Sequence, residues 1–187
     1  MLGRERRQER REDRREERAT FGRGGSATRY RMREKLLSIG DDSWIEDESG
    51  NRAFKVNGKA LRLRQTLILE DPSGRGLIKI QDRPVRIREV MEIEDADGRS
   101  IAHVKKAMIT PLRQRYKVDL AAGGEMTAQG NILDHEFEIE ADGKKVAEVS
   151  KRWFRVRDTY GVEVAAGQDD ALILAITVCI DQMAGPG

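Results

Sequence analysis

Three turn signals recur at one interval, Asp47-Glu48-Ser49-Gly50, Asp71-Pro72-Ser73-Gly74 and Asp95-Ala96-Asp97-Gly98, each 24 residues after the last. A similar phrase follows every glycine: NRAFKV, RGLIKI and RSIAHV, with KKVAEV after Asp142-Gly143 as a fourth copy. Each phrase has an apolar residue at its third and sixth positions and a small or apolar one at its fourth. In an Asp-x-x-Gly turn the glycine takes a positive φ that other residues resist, and the aspartate bonds its own turn backbone. Between these turns the chain alternates, as in LRLRQTLIL (61–69), VRIREVMEI (85–93) and HEFEIEA (135–141). A period of two means antiparallel strands with one dry and one charged face. The spacing predicts a mostly β fold of ten to twelve short strands. So many strands in one sheet expose fewer edges if the sheet closes on itself.

The halves also echo. AHVKKAMITPLRQRYKV, from Ala102, resembles AEVSKRWFRVRDTYGV, from Ala147, with one residue deleted. Each reads as a strand, a basic bend and a second strand starting near Tyr116 or Tyr160.

The segment DDALILAITVCIDQM (169–183) carries no charge from Ala171 to Ile180. Those residues as a helix would cover about 15 Å, roughly half of a bilayer core, and Asp170 and Asp181 would sit in lipid. A membrane span is therefore rejected. Asp169 or Asp170 can cap a helix start and suits its dipole. The β-branched Ile173, Ile176, Thr177, Val178 and Ile180 keep a buried strand in competition. Length, the paired aspartates and the lack of alternation favour a helix, and one apolar nearly all round needs enclosure. A closed sheet supplies it.

Residues 4–18 contain only Arg, Glu, Asp and Gln, with eight arginines against six acids. Nothing there can bury an apolar face, so residues 1–28 are expected to be a charged tail and linker, disordered or partly helical. Pairs such as Arg6 with Glu9 and Arg10 with Asp13 would support a helix. TFGRGGSAT reads as a flexible linker, and residues 29–184 as the barrel domain.

Lys and Arg number 35 against 33 Asp and Glu, so attraction to any anionic partner must come from a local patch. The N-terminus lacks the apolar run of a secretion signal, and a single cysteine fits a reducing compartment. A cytoplasmic location is expected, at most peripheral to a membrane.

Catalytic patterns are missing. His103 and His135 read as surface residues and Cys179 as a buried, inert thiol. No metal-ligand spacing, phosphate loop or nucleophile elbow occurs, so no enzyme activity and no cofactor are expected. Binding is better supported. Lys105-Lys106 and Lys151-Arg152 occupy equivalent places in the two echoes, and Trp153-Phe154 follows the second. Cations beside an aromatic ring suit phosphates or anionic headgroups. Lys105, Lys106, Lys151, Arg152 and Trp153 are thus the candidate anion- or lipid-binding residues. Arg62, Arg64, Arg86 and Arg88 form similar rows with Glu89, Glu92 and Glu94 nearby.

Tyr30 with Glu34-Lys35, the Asp-x-x-Gly turns, Ala102-x-Val104 and Ala147-x-Val149, the Tyr160-x-Val162 ending and the apolar segment closing at Asp181 together resemble the LURP-one-related family. That family shares the Tubby C-terminal-like fold with phospholipid scramblases. The resemblance covers about residues 30–183. It implies a closed antiparallel barrel of about twelve strands around a central hydrophobic C-terminal helix. It also brings anionic lipid into consideration, because Tubby domains bind phosphoinositide headgroups and scramblases are membrane-associated. Asp169, Asp170 and Asp181 do not reproduce the scramblases' acidic calcium segment. The expected function is a non-enzymatic binding or scaffold protein whose basic patch meets anionic phospholipid or another anionic partner. The alternatives are nucleic acid or an acidic protein on the Arg/Glu-rich tail, or an enzyme using the barrel mouth.

Overall fold

A computed structural model of the chain describes residues 2–33, 42–58, 66–83, 89–109, 114–153 and 158–184. Glu34, Lys35, Arg62, Arg64, Arg86, Arg88 and Phe154 lie outside them. A helix, α1 (Leu2–Thr20), precedes β1 (Thr28–Arg33), β2 (Ser43–Asp47), β3 (Arg52–Asn57), β4 (Thr66–Glu70), β5 (Gly76–Asp82) and β6 (Val90–Asp95). Then follow β7 (Ser100–Ile109), β8 (Gln114–Leu120), β9 (Glu125–Asn131), β10 (Glu136–Ala141), β11 (Lys144–Ser150), β12 (Thr159–Val164) and a second helix, α2 (Asp170–Ala184).

Each strand pairs antiparallel with its neighbours in sequence, and β1 pairs with β12, from Thr28 opposite Val164 to Arg33 opposite Thr159. That last pairing closes the barrel and leaves no open edge, as the strand count predicts.

The repeated turns share one geometry. Gly50, Gly74 and Gly98 have φ of 84°, 87° and 79°. Their amides donate to the carbonyls of Asp47, Asp71 and Asp95 at 3.0, 2.9 and 3.0 Å. In each turn the aspartate Oδ1 accepts from the amide four residues on: Asn51 at 2.8 Å, Arg75 at 3.0 Å and Arg99 at 2.9 Å. The Asp142-Gly143 turn differs, since both residues have positive φ (50° and 74°), the two-residue type that matches strand twist most closely.

The inner face follows the alternation. Tyr116, Ala128, Ile139, Ala147 and Val164 are cross-strand neighbours from β8 to β12, and all are completely buried. The alanines in this row leave room for a helix roughly 10 Å wide. Gly130 is used for close approach: at φ 146°, a Cβ there would lie 2.7 Å from Phe137 Cα.

α2 fills the interior. Ile173 to Ile180 are buried without interruption, and the helix packs against β5, β6, β7 and β12. Asp169 caps it, accepting from the Leu172 amide at 3.1 Å. Tyr30 on β1 donates to Asp170 Oδ2 at 2.5 Å, tying the helix start to the strand that closes the barrel. Burial, then Asp170 itself, raises the Tyr30 pKa well above that of an ordinary phenol. Burial likewise pushes the Cys179 thiol up, as expected of an inert core residue. No helix among the described residues is long and apolar enough to cross a membrane.

Candidate anion-binding surface

The two basic doublets differ in setting. Neighbouring residues of a strand point to opposite faces, and this separates Lys105 from Lys106. Lys105 lies on the outside of β7, with Nζ 2.5 Å from Asp119 Oδ2 on β8. The hydrogen bond from Lys105 holds the Asp119 carboxyl below its ordinary pKa. Lys106 turns to the barrel end and donates to the Met183 carbonyl in the last turn of α2 at 3.3 Å. A cation there satisfies an orphan carbonyl and the helix dipole.

Lys151, Arg152 and Trp153 form a single 3-10 turn after β11. Glu136 organises it: its carboxylate accepts from Ser150 Oγ at 3.0 Å and from the Lys151 amide at 3.1 Å. The Arg152 side chain stays 82% exposed, with Nε 3.5 Å from Glu136 Oε2. β8, β9 and β10 stand between β7 and β11, four strand spacings or roughly 19 Å along the wall. Lys105 and the 151–153 turn therefore do not adjoin.

α1 adds a surface that composition alone did not resolve. At about 100° per residue, Arg7, Arg11, Arg14, Arg15 and Arg18 share one side, while Glu5, Glu9, Glu12, Asp13 and Glu16 share the opposite side. None of those arginines has a carboxylate within 4 Å among the described residues. The Arg6–Glu9 and Arg10–Asp13 pairs suggested by spacing do not close either, and a 3.4 Å hydrogen bond joins Gln8 to Glu12.

The stretch expected to be a flexible linker is packed. Phe21 is buried beneath Lys145, whose Nζ lies 4.9 Å from the ring centroid. Lys145 also binds Glu17 of α1 and, at 2.8 Å, Glu148. Burial alone would lower the Lys145 pKa; the bonds to Glu148 and Glu17 outweigh it and raise the pKa well above ordinary. Burial also raises the nearby Glu138 carboxyl, against the pull of Lys145. The Gly22 amide donates to Glu163 Oε2 at 2.9 Å, and Arg29 pairs with the same fully buried carboxylate. The only sequence signal for this anchor is Glu163 itself, a lone charge inside TYGVEV.

Docking brings distant residues together. Arg14 and Arg18 of α1 line one recess with Trp153, Phe21 and Lys145, and Glu17 and Glu148 complete its wall. The recess combines an aromatic ring with two exposed guanidinium groups. Of the five residues singled out in the sequence, Trp153 is the one that lines it.

The histidines are far from one another in role. His103 is on the outer face beside Glu92, at 3.6 Å. His135 is not the surface residue its turn sequence suggested. It adopts φ 51°, stacks on Tyr160 with centroids 4.2 Å apart, and meets Asp181 Oδ1 at 2.7 Å. The positive φ turns the ring inward, onto the end of α2.

The LURP-one-related family model matches residues 28–181. A crystal structure of a protein from Arabidopsis thaliana is similar at a TM-score of 0.64 and 18% identity, covering 85% of this chain and 92% of that one. That likeness supports the fold. No protein with a curated description matches this sequence. The matched span contains the whole barrel and α2 as far as Asp181, so the chain belongs to the LURP-one-related family.

Proposed function

We propose that this protein is a non-enzymatic binding or scaffold protein whose surface at the α1–barrel junction engages an anionic partner. The observation that carries the reading is the recess in which Trp153 meets Arg14 and Arg18. Its guanidinium groups have no carboxylate in contact among the described residues, so they are available to an external anion. A guanidinium offers a planar fork of donors to phosphate or carboxylate, and a ring beside it adds stacking area. Arg152, exposed on the same turn, extends the surface. Lys105 and Lys106 contribute less, because Asp119 and the Met183 carbonyl already occupy them.

Heparin-affinity chromatography tests this reading without presuming the partner. The intact protein should be retained at low salt, and Arg14→Gln with Arg18→Gln should elute at clearly lower salt. Lys105→Gln should elute close to the wild type. Flow-through of the intact protein at low salt would sink the proposal.

A further inference from the structure

We propose that the arginine face of α1, continued by Trp153, is a track for single-stranded nucleic acid; this rests on the anion-binding reading above and names its partner. Four observations converge.

The cations are all arginines. Residues 2–33 contain twelve arginines and no lysine. Arginine binds a phosphate through two parallel hydrogen bonds, whereas lysine acts as a point charge. A selection for charge alone would not distinguish them.

The arginines form a row. Arg7, Arg11, Arg14 and Arg18 follow one another along one side of α1, spanning about 16 Å of helix axis. A linear polyanion can follow such a row.

The row ends at a ring. Trp153 shares its recess with Arg14 and Arg18, and its side chain is partly exposed. Phosphate-binding cations leading to an aromatic platform are the means by which unpaired bases are held without sequence preference. A duplex keeps its bases stacked inside and would leave Trp153 unused.

The surroundings disfavour a bilayer. From Arg4 to Arg18 no apolar residue is available to enter lipid. The opposite edge of α1 is acidic, and Asp13, Glu16 and Glu17 line a second recess with Glu138, Glu140 and Asp142, beside Lys144 and Lys145. The basic strip is thus one side of a single helix, a width that suits a single strand better than a broad anionic surface.

The test uses the full chain, fluorescein-labelled oligo-U and oligo-dT of about twelve nucleotides, the same DNA as duplex, and phosphatidylserine vesicles. Anisotropy at low salt should show both single strands binding more tightly than the duplex, with vesicles recovering little protein. Replacing Arg7, Arg11, Arg14 and Arg18 by Gln should reduce the slope of log K against log salt by about 3. Trp153→Ala should weaken single-strand binding about five-fold or more, the lower end for a lost base stack. Because Trp153 is partly buried, a second readout avoids mutating it: in a Trp44→Phe background, oligonucleotide should quench the remaining tryptophan. Heparin retention without binding of either oligonucleotide overturns this inference and leaves the anion-binding reading standing. Loss of heparin retention overturns both. Vesicle binding without oligonucleotide binding assigns the surface to lipid, and equal affinity for duplex without tryptophan quenching rejects the single-strand assignment.

Discussion

Asp71 shows what one turn residue does. Its carboxylate accepts from Ser73 Oγ at 2.5 Å and from the amides of Ser73 and Arg75 at 2.9 and 3.0 Å. The Ser73 side-chain bond, then the Arg75 amide, lowers its pKa below the ordinary carboxylate value. A lowered folded pKa contributes stability that is complete above the unfolded value, roughly pH 4, and lost as pH falls through the folded value. Asp71→Asn keeps an acceptor for the turn but removes the titration. Thermal melts from pH 7 to pH 3 should therefore fall less steeply for the variant, and parallel curves would refute the assignment. The turn was legible because Asp and Gly stand at fixed offsets. Neither His135 nor Gly130 was, because each is shaped by a partner distant in sequence or on another strand.

At the scale of elements, α2 joins two levels of organisation. Its residues are apolar on every side, so no surface position would satisfy them, and the barrel encloses them. Ile176 is completely buried. Ile176→Asp should cost more than about 4 kcal/mol, since a buried carboxylate with no partner is among the most damaging substitutions. That is a large share of the 5–15 kcal/mol available to a typical domain. Circular dichroism should show an unfolded or aggregated protein at 25 °C, and a cooperative melt close to the wild type would contradict this account of α2. Periodicity identified β10 and the described parts of LRLRQTLIL and VRIREVMEI, whose residues 61–65 and 85–88 lie outside the described residues, and argued for the helix over a buried strand. The register of the closing pair was not legible, because β1 and β12 meet through contacts more than a hundred residues apart.

Charge decides the arrangement of the whole molecule. On the barrel wall Lys55, Lys79, Lys105 and Lys117 each reach a carboxylate on a neighbouring strand, Glu70, Glu94, Asp119 and Glu125. These four lysines are thus neutralised by their neighbours, whereas α1 presents arginines to solvent. The hinge between them is tight: Gly25 lies where a Cβ would come within 2.3 Å of the Thr20 carbonyl oxygen. Gly25→Ala should force α1 off its seat on Phe21 and Lys145. Trypsin should then cut at the α1 arginines severalfold faster, while the barrel's melting temperature changes by only a few degrees. Unchanged cleavage would mean that this turn does not hold the helix.

The sequence by itself determined the strands, their turns, the closed sheet and the apolar helix, because these follow from local periodicity and turn chemistry. Tertiary structure alone decided which cations are occupied and which are available. Alternation sends Lys105 outward to Asp119 and Lys106 to the end of α2, although the two are adjacent in the chain. The docking of α1 brings Arg14 and Arg18 to Trp153, well over a hundred residues away. A binding surface depends on distances across the fold, and residue spacing along the chain carries no measure of them.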